Sequence, residues 1–185
     1  MVWCEGLLLG KTVNLRLMEK EELHILADWL NDPRFMGEYE SQESIRDLEK
    51  SFERAGSQWF FREKKDGTKI GWVAKYLVGS LITVGFGVVP DERCKGYATE
   101  AASIIVDYLF LANNIVRVQA DTSTENKASQ RVLEKVGFQK EGIIRSHFFS
   151  TGKWRDSFLY SILRDEWRAP KILKRKRLSK LKILP

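Results

Sequence analysis

Apolar and polar residues alternate from Thr12 to Met18, with Val13, Leu15 and Leu17 on one side and Asn14 and Arg16 on the other, which predicts a half-buried strand. The period then lengthens. Leu23, Leu26, Ala27 and Leu30 recur at helical spacing until Asn31-Asp32-Pro33 stops the run, because the residue before a proline is pushed out of the helical region. A second helix is predicted over Ser44 to Ala55, with Ser44, Asp47 and Glu49 near its start and Gly56 as its terminator.

An antiparallel meander follows. Gln58 to Lys64 and Lys69 to Val78 flank Lys65-Asp66-Gly67-Thr68, an Asp-Gly turn of the kind that closes hairpins. A third strand, Ser80 to Val89, ends at Pro90, and a helix from Thr99 to about Asn113 carries the apolar stripe Ala102, Ile105, Val106 and Leu109. Arg117 to Thr122 reads as another strand. Glu125-Asn126-Lys127-Ala128-Ser129 opens a helix with Val132, Leu133 and Val136, before Gly137-Phe138. Two last strands, Ile143 to Phe149 and Arg155 to Leu163, meet at Ser150-Thr151-Gly152-Lys153. Strands mixed with helices in this order predict a mixed sheet packed on both faces, not a regular βαβ repeat. Trp59, Phe60 and Phe61 are read as core, since consecutive strand residues face opposite sides.

Composition bounds what these elements build. A chain of 185 residues with 43% hydrophobic content makes one domain with a substantial core. No apolar run is long enough to span a membrane and the start lacks a secretion-signal pattern, so a cytoplasmic protein is expected, as monomer or homodimer. Cys4 and Cys94 form no CxxC pair, which indicates free thiols and no metal site. The net charge of +6 is local: seven basic residues and no acid fall in residues 171–185, leaving a nearly neutral body over 1–170. Such a block is a solvated end or, given its interleaved Ile and Leu, an amphipathic contact for RNA or the ribosome.

Candidate chemistry centres on Val88-Val89-Pro90-Asp91-Glu92-Arg93-Cys94-Lys95-Gly96-Tyr97-Ala98-Thr99-Glu100, where an apolar strand breaks at a proline, passes a glycine turn and enters a helix. Unpaired amides at a helix start, with the positive end of its dipole, hold an anion without a specific side chain. Taken alone, the pattern is more often that of an ordinary turn.

That segment does not stand alone. LGKTVNLRLMEKEELHILADWLND, VVPDERCKGYATEA, ENKASQRVLEKVGFQKEG and GKWRDSFLYSILRDEW together resemble the GCN5-related N-acetyltransferase superfamily, and specifically its Rim-type branch, which acetylates ribosomal-protein N-termini. The resemblance covers roughly residues 6 to 168. It implies an α+β fold with a largely antiparallel central sheet, a splayed parallel strand pair and helices on both faces. It also implies acetyl-CoA as donor and an amine acceptor. Its motifs put the pantetheine arm along Val88 and Val89 and the pyrophosphate on the amides of Arg93, Cys94, Lys95, Gly96, Tyr97, Ala98 and Thr99, with Arg93 and Lys95 able to add charge. Asn126 would meet the pantetheine amide and Ser129 would donate a proton to the departing thiolate, although an Asn at a helix start is also an ordinary cap.

The chain departs from its relatives at the base. The segment SLITVGFGVV bears no Glu, and Leu133 stands where many members have a Tyr acid. His147 is the nearest titratable group after Glu141-Gly142, and Glu100 is the other candidate base, with helix-dipole stabilisation as its plain reading. Asp156 and Tyr160 are candidates for support of the acceptor pocket. Acceptor recognition is expected at the Ser146 to Arg155 hairpin and at residues 31–43, where Asp32, Glu38, Glu40 and Glu43 outnumber Arg34, a bias that favours a cationic acceptor or is equally that of an ordinary polar loop. An α-amine is about 10 to 20% neutral at pH 7 whereas a lysine is about 0.04% neutral, so weak base machinery suits protein N-termini. A small-molecule amine of lowered pKa satisfies the same condition, and a non-catalytic CoA-binding protein with a ribosome- or RNA-binding tail is the alternative of a different class.

Overall fold

A computed structural model describes residues 7–36, 44–78 and 81–173. Its strands are β1 (Leu7–Leu9), β2 (Val13–Leu17), β3 (Gln58–Lys64), β4 (Lys69–Val78), β5 (Leu81–Val88), β6 (Arg117–Ser123), β7 (Gln139–Ser150) and β8 (Lys153–Leu163). The helices are α1 (Leu23–Leu30), α2 (Pro33–Met36), α3 (Ile45–Phe52), α4 (Tyr97–Ala112) and α5 (Lys127–Val136). The strands form one sheet in the order β1-β2-β3-β4-β5-β6-β8-β7, antiparallel throughout except for β5 beside β6. This is the mixed, largely antiparallel sheet expected, with its single parallel pair.

Period-two alternation divides the side chains between two cores. Val13 and Leu15 of β2, Phe60 of β3 and Val84 of β5 pack under Ile104, Ile105 and Leu109 of α4 and Leu133 of α5. On the opposite face Trp59, Phe61 and Ala74 pack under Leu23, Leu26 and Leu30 of α1 and Leu48 of α3. The consecutive Trp59, Phe60 and Phe61 are therefore all buried, because this part of the sheet is covered on both sides. The Asp66-Gly67 turn closes the β3–β4 hairpin as predicted, with Gly67 donating to Lys64 O at 3.0 Å.

Three features were not legible in the hydrophobic pattern. β1 is an unbroken Leu7-Leu8-Leu9 run without alternation, made a strand by its pairing of Leu8 with Leu15. Pro33 ends α1 but also opens α2, since a first-turn residue needs no N–H partner. β7 begins at Gln139, earlier than expected; it is an edge strand exposed over most of its length, so polar residues occupy both faces and only pairing with β8 defines it.

The chain stays on the domain past residue 170. The buried Asp107 carboxylate of α4 accepts bonds from Trp167 Nε1 at 2.8 Å and from the backbone amides of Lys171 at 3.0 Å, Ile172 at 2.7 Å and Leu173 at 3.0 Å. Lys171 Nζ donates to Val136 O at the end of α5. The rest of the basic segment, 174–185, lies outside the described residues, as do Cys4, Glu38, Glu40 and Glu43. No helix among the described residues is long and apolar enough to cross a membrane.

Replacing Asp107 with Ala leaves four donors without their acceptor. Urea unfolding of Asp107→Ala is expected to show a loss of about 2 to 4 kcal/mol, as for other broken buried hydrogen-bond networks. Hydrogen exchange at Lys171 to Leu173 should accelerate with it.

Candidate active site

The site is built where β5 and β6 separate. The two strands pair only at Ile82 with Val118 and Thr83 with Gln119. Beyond that, β5 keeps pairing with β4 as far as Val88, and β6 keeps pairing with β8 as far as Ser123. The inner edges of residues 84–88 and 120–123 thus face each other across a gap. Val89 N donates to Ile70 O of β4 at 3.0 Å, and polar groups alternate in direction along an antiparallel strand, so Val88 N–H faces the gap. An extended ligand carrying amide groups can pair with such an edge as an added strand.

At the mouth of the gap, Pro90–Glu92 makes a 3-10 turn, Cys94 and Gly96 take left-handed backbone at φ 62° and 84°, and α4 starts at Tyr97. Successive amides in such a turn converge into an anion-binding concavity. No side chain caps the N-terminus of α4, whereas α3 is capped by Ser44 and α5 by Asn126. The first-turn amides of α4 have no intrahelical acceptor. A Cβ built on Gly96 would meet no atom within 4 Å, so the turn opens outward. These residues fit the pyrophosphate and pantetheine arm of CoA through backbone groups.

The charged side chains of the turn are not turned to that use. Arg93 donates to Val88 O at 3.2 Å, Arg34 O at 3.0 Å and Phe35 O at 2.7 Å, tying α2 to the end of β5. Lys95 pairs with Glu92 at 2.9 Å, and Glu92 also holds Lys64. Arg93 and Lys95, read as able to add charge, are thus engaged with groups of the protein itself. Cys94 is an exposed free thiol.

Asn126 and Ser129 are brought together by the cap: Asn126 Oδ1 accepts the Ser129 N–H at 3.0 Å. That bond occupies only the amide oxygen and leaves the two Nδ2 donors outside it. Both residues are half-buried at the start of α5, directly after the free end of β6.

Among the candidate bases, Glu100 is engaged elsewhere. Its carboxylate accepts the Lys11 N–H, the Thr12 N–H at 2.8 Å and the Thr12 hydroxyl at 2.5 Å. Burial by itself would raise its pKa, but the bonds from Thr12 and Lys11 outweigh that and hold the carboxyl below its ordinary range, the wrong direction for a base. It is a strut between α4 and the β1–β2 turn.

His147 is different: its Nδ1 lies 3.6 Å from Asp121 Oδ2. Burial pushes the Asp121 carboxyl up, against the opposing pull of His147. Asp121 is on β6 and shares its face with Gln119, opposite the buried Val118, Ala120 and Thr122. Sequence reading missed it; the cue was its polar position in an alternating strand. Tyr160 is not an acceptor-pocket residue, because it is fully buried on the α5 side with its hydroxyl on Glu134 at 3.2 Å. Burial, with Glu134, pushes its pKa up to about 12. Asp156 accepts the Ser146 N–H at 2.8 Å and lines a cavity of about 260 Å³ with Ser123, Glu125, Trp154 and Arg155.

Residues 12–139 match the acetyltransferase (GNAT) domain model, and the chain belongs to that family. The family's domain is that of an acetyl-CoA-dependent N-acetyltransferase. The chain is similar to the uncharacterized N-acetyltransferase YoaA of Bacillus subtilis, 31% identical over 60% of this chain and 65% of that protein. It is similar to the spermidine N(1)-acetyltransferase of Escherichia coli K12, 26% identical over 85% of this chain and 89% of the relative. The E. coli [ribosomal protein uS5]-alanine N-acetyltransferase is 25% identical over 63% of each chain. The chain matches under two thirds of the length of YoaA, and 55% of the length of the related B. subtilis YnaD. In fold it resembles a Bacillus anthracis GNAT-family acetyltransferase, with TM-score 0.75 and 22% identity over 86% of this chain and 99% of that one. No group of metal-ligating side chains occurs among the described residues.

Two substitutions separate backbone recognition from side-chain support. Gly96→Ala is expected to cost about 1 to 2 kcal/mol of stability through its left-handed backbone, and to weaken CoA binding in calorimetry. Glu100→Ala should lower stability by about 1 to 3 kcal/mol in urea unfolding, with turnover per folded molecule unchanged.

Proposed function

We propose that the chain moves acetyl from acetyl-CoA to a protein N-terminal α-amine by direct attack of the neutral amine. The observation that carries this reading is the set of titratable groups at the strand gap. β5, Leu81–Val88, bears no carboxylate, and among the described residues His147 and Asp121 lie together on the face opposite α4 and α5. Such a pair suits an amine whose pKa is about 7.7 to 8.0 better than one near 10.4.

Acetyl-CoA supplies the thioester whose C–S bond breaks as the amine forms a C–N bond. In this reading the Val88 and Val89 backbone pairs with the pantetheine arm, and the amides of residues 93–99 take the pyrophosphate. Asn126 Nδ2 reaches the arm while Oδ1 keeps the cap, and Ser129 gives the leaving sulfur its proton. His147, steadied by Asp121, receives the amine proton. Similarity to the uS5-alanine enzyme supports this acceptor.

A polyamine acceptor is the second reading, favoured by the 85% coverage in the match to spermidine N(1)-acetyltransferase. Against it, the acids at the cavity already have partners: Glu125 pairs with Arg155 at 2.7 Å, and Asp156 holds Ser146 N. The lining sets Glu125 and Asp156 against Lys153 and Arg155, so the cavity carries no net negative charge to draw a polycation.

Thiol release from acetyl-CoA should be measured with peptides of free N-terminus, an Nα-blocked lysine peptide and spermidine. The N-terminal peptides are expected to lead, and His147→Ala to lower their kcat by about 100-fold with CoA affinity unchanged. A preference for spermidine would replace the acceptor named here. CoA binding without release for any acceptor would make the chain a binding protein.

A further inference from the structure

Arg62 of β3 is fully buried on the α4 side of the sheet, yet it makes no ion pair among the described residues. Its Nη1 donates to Gly87 O of β5 at 3.0 Å, while Nε and Nη2 have no partner among the described residues. Leaving donors of a buried cation unpaired is costly, so the position needs a reason. Burial pushes the guanidinium pKa down to about 9, which still leaves it charged at neutral pH.

The reach from β3 to β5 crosses β4 at Gly71, the residue paired with Arg62 on one side and Val88 on the other. A Cβ at Gly71 would lie 2.2 Å from Gly87 O, so only glycine leaves the carbonyl accessible there. The β3–β4 register also shifts directly after Arg62. The carbonyl that Arg62 holds and the N–H of Val88 belong to the same peptide unit. Its oxygen points back toward Arg62, and its N–H points into the gap between β5 and β6.

We infer that Arg62 is a positioning residue for the donor: its buried charge on Gly87 O aligns and polarises the Gly87–Val88 peptide, making Val88 N–H a stronger donor to the pantetheine arm of CoA. A charged donor on a carbonyl strengthens the hydrogen bond made by the amide of the same peptide. The inference rests on the CoA reading of the gap and adds a residue that never touches the ligand. It also accounts for a buried cation without a counter-ion, since the partner is a peptide dipole.

Calorimetric titration with CoA and with ADP, which has the pyrophosphate but no pantetheine arm, tests this on the full chain carrying Arg62→Met, Arg62→Gln or Arg62→Lys. Arg62→Met is expected to weaken CoA by about tenfold and ADP by less than about twofold, with the melting temperature held or raised, because an apolar side chain of similar volume replaces an unpaired buried charge without loss. Arg62→Lys should recover most of the CoA affinity. Arg62→Gln, which keeps a donor without charge, should fall between and serves if the Met variant does not fold. Equal weakening of CoA and ADP, or equal loss in the Lys and Met variants with a lowered melting temperature, would mean a packing role and overturn the inference. Unchanged CoA affinity in Arg62→Met and Arg62→Gln would overturn it as well. Failure of the unsubstituted chain to bind CoA would instead defeat the donor reading itself.

Discussion

Backbone polar groups in a sheet must find partners, and β5 and β6 stop supplying each other's after Thr83 and Gln119. The gap is held open from outside, by β4 along one strand and β8 along the other. Two edges that face each other inside a sheet form a slot for a ligand able to supply alternating donors and acceptors. The turn to α4 begins where β5 ends, which sets an uncapped helix start at the mouth of the slot. A slot of this kind suits an extended ligand with an amide-bearing arm and an anionic end.

Around the gap, side chains that look like ligand contacts act mainly as struts. Arg93 ties the turn to α2, Lys95 and Lys64 share Glu92, and Glu100 holds the β1–β2 turn. The charged side chains hold the turn in place, and no side chain caps the start of α4. Glycine contributes on the other face. A Cβ at Gly87 would lie 2.6 Å from Trp72 Nε1 and 2.7 Å from Phe35, so its absence lets these rings lie against β5. Phe35 in turn stacks on Trp29, linking α1 and α2 to that face of the sheet.

Asp121 lies on the same side of the sheet, opposite the face covered by α4 and α5. Asp121 and His147 come from β6 and β7, which are not neighbours in the sheet, with β8 between them. Their approach depends on the irregular register of β7 between Ile144 and Phe148 and on Ser146, whose backbone takes φ 48° and whose N–H is held by Asp156. An irregular strand thus brings His147 beside Asp121, where a regular pleat would turn it aside.

Sequence alone determined the elements whose patterns are strong. The strand pattern from Thr12 to Met18, the β3–β4 hairpin around Asp66-Gly67, the long apolar face of α4 and the glycine turn before it were all legible, because short-range periodicity and turn chemistry carry them. The edge strand β7, the three-residue β1 and the fate of Glu100, Arg93 and Tyr160 were not. Exposed edges lack alternation, and a side chain's partner depends on strands far away in the chain. Only tertiary structure joined His147 to Asp121 and set Arg62 behind Gly87, since sheet order and register decide which distant residues share a face.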